Sequence, residues 1–270
     1  MKRDISKKEL IKKISELEKD LDRRPNKRDN SSLYYYARKY FGSWNNLMKS
    51  AGFKTKFRQT ICSIKFNKDF AYFIGLLVTD GHIVYDNIHG KYKVMIYTSY
   101  PKERDMIINL IKRLFNYKPS VTSRMYGFSK KPNFEIKITS KFLVNILVND
   151  FGVMNGAKSF KVTVPKIIKN SKNPIIKKAF LRGVIDGDGS ILRREIKIAS
   201  SSINFLKDLK DIFNYFHVPS GEIFRNSKVT NVLEFRTYGA KNMEKLYRLL
   251  YPADYYYKRK KNKWENNIFK

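Results

Sequence analysis

Cysteine and histidine are scarce in this sequence of 270 residues, which has one cysteine and three histidines. A single thiol, that of Cys62, can form neither an internal disulfide bond nor a cysteine-based zinc site, and we expect it to be a buried or half-buried small residue. The histidines, His82, His89 and His217, show no metal-ligand spacing. The composition therefore excludes disulfide-stapled folds and zinc sites built on cysteine.

Long apolar segments are also absent. No apolar run reaches the roughly 18 residues that a membrane-spanning helix needs, and no apolar segment of a secretory signal follows the first residues. These absences predict an intracellular protein with no membrane partner. They leave open whether its compartment is the cytoplasm of a prokaryote or an organelle matrix.

Acidic residues are few relative to basic ones. The chain has 24 Asp and Glu against 56 Lys and Arg, which gives a formal net charge of +32. So large an excess predicts a polyanionic partner. The basic residues run along the whole chain, so they predict a long binding surface rather than a basic tail. The 18 tyrosines and 19 phenylalanines argue against disorder.

One pattern occurs twice: an apolar segment of helical length that ends in Asp-Gly. The copies are residues 73–81, FIGLLVTDG, and residues 181–189, LRGVIDGDG. Each contains two small residues four positions apart, which share one helix face and let two backbones approach closely. These small residues are Gly75, Thr79, Gly183 and Gly187. We predict that the two helices pack on each other and stop at C′ glycines, Gly81 and Gly189.

Both segments carry an acidic residue at their end, Asp80 or Asp188. The last carbonyl groups of a helix lack intrahelical partners, and the helix dipole makes that end partly negative. Two such ends side by side form an oxygen-rich, negative pocket that suits a hard divalent cation such as Mg²⁺. A bound cation would also relieve the repulsion between the two carboxylates. The pattern therefore predicts a metal site between the helix ends.

The two copies resemble the LAGLIDADG motif of homing endonucleases, in the form with two motifs on one chain. The resemblance extends over about residues 65–260. It implies that the acid at the eighth motif position, here Asp80 and Asp188, is catalytic and binds the metal. It further implies backbone carbonyl ligands from the preceding residues, Thr79 and Gly187. The implied cofactor is Mg²⁺, for which Mn²⁺ could substitute.

The copies differ at the sixth motif position, where the first has Val78 and the second has Asp186. In the family this position is not the metal-binding one. We therefore expect the difference to have little effect on catalysis.

The resemblance implies an α+β fold. It consists of two pseudo-symmetric αββαββα halves, residues 67–165 and 166–270, packed through the motif helices, and each half presents an antiparallel sheet to DNA. A second repeat supports two related halves, because residues 114–117, LFNY, are matched by residues 212–215, IFNY. In the first half we expect strands near 82–86, 91–99, 120–128 and 133–139, with helices near 102–116 and 141–150.

Residues 1–53 predict a small all-helical module. After a first amphipathic helix, Asn26 or Asp29 could cap a second helix, and Ser43 a third. The RP pair before the second helix and the FGSWNN run after it resemble a small helix-turn-helix-like DNA-binding repeat found beside homing endonucleases. Residues 54–66, with three lysines and one arginine, are interpreted as a basic linker.

Basic and polar residues alternate with apolar ones in the predicted strands, so one face of each sheet would be apolar and the other rich in Lys, Arg, Glu and Tyr. Such a charged face can lie in a major groove, where its side chains read base edges. The interpreted partner is therefore double-stranded DNA. The candidate DNA contacts are Arg24, Lys27, Arg28, Lys91, Lys93, Arg124, Lys137, Arg193, Lys197, Arg225, Arg236, Lys258 and Lys260.

The resemblance also implies a lysine near each catalytic acid, to polarise water or steady the phosphorane. Lys161 and Lys158 are candidates for one half because they lie shortly before Pro165. Lys258 or Lys260 could serve the other half.

The sequence as a whole predicts a monomeric, site-specific homing endonuclease that makes a double-strand break by metal-dependent phosphodiester hydrolysis. Two alternatives remain open at this point. One is an intron maturase that binds RNA with the same fold, and the other is a DNA-binding regulator that does not cut.

Overall fold

The structure is a computed structural model, and it describes residues 5–53, 59–125, 132–156, 160–225, 231–251 and 253–268. The chain divides into two compact units, Met1–Arg58 and Gln59–Lys270. In the described parts of the chain, no helix is long and apolar enough to cross a membrane.

The first unit contains three helices: α1 (Lys7–Leu21), α2 (Ser31–Phe41) and α3 (Trp44–Ser50). Each begins at a polar cap whose side chain accepts a backbone N–H, and the caps are Ser6, Asn30 and Ser43. The expectation for Ser43 is confirmed, whereas Asn30 caps α2 in place of Asn26 or Asp29. The Asp29 carboxylate instead accepts two hydrogen bonds from Arg23, at 2.9 and 3.0 Å.

The apolar stripes of these helices form a small separate core. Its buried residues are Leu10, Ile14, Leu33, Ala37, Leu47 and Met48. Trp44 and Phe53 pack against this core without being fully buried.

Residues 59–66, expected to belong to a linker, lie in the second unit. Ile61 is 2% exposed and packs in the large core, with Ile64 and Phe66 against it. The remaining residues of that expected linker, 54–58, lie outside the described residues. Cys62 is exposed, contrary to expectation, because its neighbour Ile61 occupies the inward position.

The second unit contains two halves with the same order of elements, and the second half ends in one additional helix. The first comprises α4 (Lys68–Asp80), β1 (Gly81–Asp86), β2 (Lys91–Thr98), α5 (Pro101–Phe115), β3 (Ser120–Arg124), β4 (Asn133–Thr139) and α6 (Lys141–Asn145), which continues as a π-helical turn (Ile146–Asp150). After the short α7 (Lys166–Lys169), the second comprises α8 (Pro174–Gly187), β5 (Ser190–Ile191), β6 (Glu195–Ser200), α9 (Ile203–Tyr215), β7 (Phe224–Arg225), β8 (Leu233–Tyr238), α10 (Ala240–Leu250) and α11 (Lys258–Ile268).

Each half folds its strands into one antiparallel four-stranded sheet. The strand orders, β1-β2-β4-β3 and β5-β6-β8-β7, are the same when the halves are superposed by element. The predicted α+β fold with two related halves and a helical N-terminal module is therefore confirmed. The strand expected near 120–128 ends at Arg124, and residues 126–131 lie outside the described residues.

The sheets have one apolar and one polar face, as the alternation predicts. In β2, Val94 and Ile96 are buried in the core, whereas Lys93 and Tyr97 project from the opposite face. The register pairs Lys93 with Thr139 and Tyr97 with Glu135, so polar residues continue across the sheet.

Helices α4 and α8 pack directly against each other through glycine. A methyl group added at Gly75 would lie 2.4 Å from the Phe180 carbonyl oxygen, and one added at Gly183 would lie 2.4 Å from the Tyr72 carbonyl oxygen. Neither contact leaves room for a side chain. The predicted close approach of the two motif helices is thus present.

The motif glycines that follow the acids have a different role from the one predicted. Gly81 has an extended backbone with φ −106°, so it is not a left-handed C′ residue. A methyl group on Gly81 would lie 2.5 Å from the Leu77 carbonyl oxygen, and one on Gly189 would lie 2.6 Å from the Ile185 carbonyl oxygen. Glycine is required here because the chain leaves the helix tightly against its own last turn.

Candidate active site

Asp80 lies where the C-terminal ends of α4 and α8 meet. A methyl group at Gly187 would lie 3.2 Å from Asp80 Oδ2 and 2.1 Å from Thr79 Oγ1, so the seventh position of the second motif must lack a side chain. Asp188 follows Gly187 directly and is exposed, while Asp80 is half-buried. The helix pair therefore places the two predicted acids at the same end.

Lys260, from α11, reaches the end of α8. Its ammonium group donates to the carbonyl oxygens of Ile185 and Gly187, both at 3.3 Å, and to that of Gly189. These carbonyl groups lie at the C-terminal end of a helix, where a cation is favoured. Lys260 is only 8% exposed, so its ammonium group is buried and does not lie on the surface as a predicted phosphate contact would.

The surroundings of Lys260 also place several carboxylates near its ammonium group. Burial lowers the pKa of Lys260 below its ordinary value, and the negative charges of Asp186, Asp80 and Asp188 oppose that shift. Both predicted catalytic acids therefore act electrostatically on one buried ammonium group. The negative pocket predicted at the helix ends therefore contains a cationic side chain, one that the sequence offers both as a DNA contact and as a candidate catalytic lysine.

A cavity of about 250 Å³ opens beside Asp80. Its walls come from the ends of α4 and α8, the β2–α5 connection, the start of β4 and the C-terminal segment. The lining residues are Asp80, Tyr97, Thr98, Ser99, Tyr100, Glu103, Asn133, Asp186, Gly187, Tyr257 and Arg259. The cavity is therefore predominantly polar and contains both acidic and basic groups.

Asp186, at the sixth position of the second motif, is fully buried. Its carboxylate accepts hydrogen bonds from Tyr72 Oη at 2.8 Å, Tyr251 Oη at 3.0 Å and the Tyr257 backbone N–H at 2.9 Å. Burial raises the pKa of Asp186 to about 6, although these three donors and the charge of Arg182 lower it. Asp186 is thus an anchor for the C-terminal segment.

Arg182 lies one turn before Asp186 on the same helix face and is 6% exposed. Its guanidinium group donates to the carbonyl oxygens of Tyr255 at 2.9 Å and Leu250 at 3.2 Å. The equivalent positions of the first motif are Ile74 and Val78, both apolar and buried. The difference between the motifs follows from the single C-terminal segment, which docks on the second helix.

The donor set at the helix ends suits a divalent cation only in part. Two carboxylates and helix-end carbonyl groups are hard oxygen ligands of the kind Mg²⁺ prefers. However, among the described residues no group of three or more His, Cys, Asp or Glu side chains is arranged to hold a metal ion. The Gly187 carbonyl also accepts a hydrogen bond from Lys260. Asp80 and Asp188 are compatible with a metal whose remaining ligands are water and phosphate oxygens.

Acidic and basic side chains on the polar face of the second sheet are connected by ion pairs. Arg236 donates to Glu234 Oε1 at 2.6 and 2.8 Å and contacts Glu195 at 3.3 Å. Lys197 lies 3.4 Å from Glu234, which is 1% exposed, and the Arg236 guanidinium lies over the Phe224 ring at 5.3 Å. Two of the predicted DNA contacts are therefore held in fixed positions by carboxylates.

The other predicted DNA contacts lie on several surfaces. Lys91, Lys93, Lys137 and Arg124 belong to the polar face of the first sheet, where Lys137 contacts Glu135 at 3.4 Å. The remaining predicted DNA contacts have exposed side chains. They are Arg24, Lys27, Arg28, Arg193, Arg225 and Lys258.

Of the predicted catalytic lysines, Lys260 lies near both acids, whereas Lys161 does not. Lys161 is exposed on the connection before Pro165, where Ser202 donates to the neighbouring Val162 carbonyl group, and it is not part of the cavity lining beside Asp80. Lys158 lies outside the described residues.

The comparisons with known proteins agree with this architecture. Residues 176–251 match the family model of the LAGLIDADG-like domain, and residues 5–54 match that of the homing endonuclease associated repeat. The predicted resemblance to the LAGLIDADG homing endonucleases is confirmed by these matches and by solved structures of the same fold. None of the curated proteins with which the sequence was compared matches it.

Two solved structures illustrate how far the LAGLIDADG likeness extends. The homing endonuclease I-DmoI in complex with DNA and Mn has a TM-score of 0.52 and 16% sequence identity, and the match covers 69% of this chain and 98% of that one. The homing endonuclease I-WcaI bound to its DNA recognition sequence has a TM-score of 0.53 and 13% identity, and the match covers 77% of this chain and 88% of that one.

Sequence reasoning missed the contribution of the C-terminal segment to the LAGLIDADG helices. From this segment the sequence predicts only Lys258 and Lys260, as DNA contacts or catalytic lysines, whereas α11 begins at Lys258 and buries Trp264 completely. A signal was present in the second motif, because Arg182 and Asp186 put two charges on one face of the otherwise apolar stretch 179–187. Such a pair predicts a polar segment docked against that face.

Proposed function

We propose that this chain is a site-specific DNA endonuclease of the homing type, which makes a double-strand break in a long target. The observation that carries the proposal is the position of Asp80 against Gly187 at the joined ends of α4 and α8. This arrangement gives one acid-lined centre between two sheets whose polar faces bear arginine and lysine. Because one chain contains both halves, it would act as a monomer.

DNA would lie along the polar faces of both sheets. Phosphate contacts from exposed lysine and arginine side chains would supply affinity, and side chains on the sheets would read base edges in the major groove. Arg236 is suited to reading because Glu234 and Glu195 fix its guanidinium group. The formal net charge of +32 favours association with DNA, which is a polyanion.

Asp80 and Asp188 would hold divalent metal at the centre, with water and phosphate oxygens as its remaining ligands. The solved relative I-DmoI forms a complex with DNA and Mn, which supports a divalent ion here without selecting Mg²⁺. Such an ion supplies Lewis-acid activation of water and neutralises charge on the phosphate. The carboxylates of this chain would orient the attacking water at each strand, and Lys260 would keep the end of α8 in place between them.

Cleavage of a randomised DNA library tests the proposal. The protein is incubated with the library in Mg²⁺ and, separately, in Ca²⁺, and the new DNA ends are sequenced. The proposal predicts discrete breaks with short 3′ overhangs at one long motif in Mg²⁺ only.

Retention of DNA without breaks in either metal would contradict an endonuclease and point to a regulator that does not cut. Preferential retention of structured RNA over the DNA library would instead point to a maturase. Asp80 and Asp188 would then be structural acids.

A further inference from the structure

The C-terminal segment, residues 253–268, lies beyond the part of the chain that the LAGLIDADG-like family model matches. Even so, the structure docks it at the candidate active site. Asp186 and Arg182 hold its first residues, and Lys260 fixes the start of α11 against the end of α8. Two further side chains of this segment, Tyr257 and Arg259, line the cavity that contains Asp80.

Arg259 is held firmly by residues of the first half. Its Nε donates to Glu103 Oε1 at 3.1 Å, its Nη2 lies 3.1 Å from the same oxygen, and its guanidinium lies 4.1 Å from the centre of the Tyr100 ring. Glu103 is 5% exposed and accepts a hydrogen bond from Thr98 at 2.8 Å. One edge of the guanidinium is thus fixed by a buried carboxylate.

The rest of the Arg259 side chain remains available. It is 43% exposed, and within the described ranges no partner is found for Nη1. A guanidinium has five N–H donors in a planar fork that matches the oxygens of a phosphate group. Orientation by Glu103 and Tyr100 means that little side-chain entropy would be lost when Arg259 binds such a group.

Tyr257 provides a second donor beside Asp80. It is 2% exposed, and its hydroxyl has no hydrogen-bond partner in the part of the chain that the structure describes. A tyrosine hydroxyl can donate a hydrogen bond, and a buried donor without an acceptor is costly unless a ligand satisfies it.

We propose that Arg259 and Tyr257 form a phosphate-binding subsite that holds the scissile phosphate of one DNA strand next to Asp80. The proposal rests on the proposed endonuclease function and extends it to two residues of the C-terminal segment. Arg259 offsets the repulsion between the acids and the phosphate, and both side chains donate to the non-bridging oxygens. The charge on those oxygens grows in the transition state, so the donors act mainly on the rate.

The subsite serves one strand more than the other. The equivalent end of the second helix is occupied by Lys260, which is turned onto the carbonyl groups of Ile185, Gly187 and Gly189. The two strands therefore meet different cations at the two sides of the centre.

The test uses the full chain and a target duplex, taken from the library selection, that carries a different label on each strand. Arg259→Ala is expected to slow cleavage of one strand about a hundredfold, as loss of one transition-state donor does, and the other strand much less. Affinity for the duplex in Ca²⁺ should stay within about twofold, because one phosphate contact among many is lost. Added guanidinium ion should restore part of the lost rate.

Arg248→Ala is the matched control. Arg248 is also paired with a glutamate, Glu244, at 2.7 Å, but it lies on α10 away from the cavity. Its replacement should leave both strand rates unchanged. Arg259→Ala could disturb docking of the C-terminal segment, and a fall in Tm would reveal this. Tyr257→Phe removes only a hydroxyl group, so it should slow cleavage of the same strand without that disturbance.

Wild-type rates on both strands for Arg259→Ala and Tyr257→Phe would overturn the subsite and leave the endonuclease in place. Equal slowing of both strands, with no rescue by guanidinium ion, would also overturn it and assign Arg259 a purely structural role. If the wild-type protein cuts neither strand, the proposed function itself fails.

Discussion

Gly75 and Gly183 face each other so closely that a methyl group on Gly75 would lie 2.8 Å from the Gly183 Cα atom. This contact sets the separation of α4 and α8, and through it the meeting of the two helix ends at Asp80 and Gly187. Side chains cannot enter it, because the nearest atoms belong to backbone rather than to flexible side chains. The geometry of the candidate site therefore depends on two glycines that have no side chain and take no part in catalysis.

Alanine at either glycine should destabilise the second unit. Overpacking of a tight contact costs about 1–3 kcal/mol, so Gly75→Ala or Gly183→Ala should lower the free energy of unfolding by that amount in denaturant titrations. Gly221→Ala is a suitable control, since its methyl group would lie 3.4 Å from the nearest atom, an ordinary contact. Equal stability of all three variants would show that α4 and α8 are not in backbone contact.

Glu234 should control base preference through Arg236 and Lys197. Replacing its carboxylate in Glu234→Gln leaves two cations without their buried partner, so Arg236, then paired only with Glu195, can sample other positions. We expect preference at one or two base pairs of the target to relax by about tenfold, within the 1–3 kcal/mol of a good base contact. Selection from a partly randomised target measures this.

Glu222→Gln is the control for that selection. Glu222 is 95% exposed and pairs with Lys210 at 3.2 Å, away from the network around Glu234. Both variants should show the same base preference only if the polar face of the second sheet does not read DNA.

Asp29 should titrate far below an ordinary aspartate. Hydrogen bonds from Arg23 and from the Asn26 backbone hold its pKa at about 2, although partial burial of the carboxyl group acts in the opposite direction. Because the pKa is depressed in the folded state, the stabilisation by Asp29 is present above about pH 4 and is lost as pH falls toward 2. Carbon-13 NMR of the carboxyl groups measures the midpoint.

Arg23→Met provides the comparison for Asp29, because it removes the hydrogen bonds and the charge of the guanidinium together. We expect the Asp29 midpoint to rise in this variant. An unchanged midpoint would mean that Arg23 and Asp29 are not paired in solution.

Trp264 should anchor the C-terminal segment. It is completely buried, and its ring lies 5.7 Å from that of Tyr251 and 6.0 Å from that of Tyr247. Trp264→Ala should lower stability by about 3–5 kcal/mol, as loss of a buried large aromatic residue does. Phe160→Ala, at a side chain that is 62% exposed, should change stability little. Thermal unfolding of both variants and of the wild-type protein measures the difference.

The fold was predicted from a family resemblance, whereas the packing of the motif helices and the acids at their ends could be predicted because their signals are local. Gly75 and Thr79 are four residues apart, and Asp80 follows them on the same helix, so spacing alone indicates the packing face and the acid at its end. The sheet faces follow from alternation in the same way, as Lys93 and Val94 show.

The C-terminal contribution could not be predicted from spacing. Arg182 meets Tyr255 across 73 residues and Asp186 meets Tyr257 across 71, and no repeat or period connects these positions. The sequence offers Lys260 as a candidate catalytic lysine, but its burial against the helix end could not be predicted for the same reason. In so basic a chain a lysine is by default a surface or phosphate-contacting residue, and only the fold shows one buried against a helix end.

Asparagine at the two motif acids tests the central claim most directly. The rate of target cleavage in Mg²⁺ and the affinity for the same duplex in Ca²⁺ are measured for Asp80→Asn, Asp188→Asn and the wild-type protein. If Asp80 and Asp188 form the cutting centre, each variant keeps its affinity within a few-fold and loses cleavage. Full cleavage by both variants would contradict the account and move the active centre away from the ends of α4 and α8.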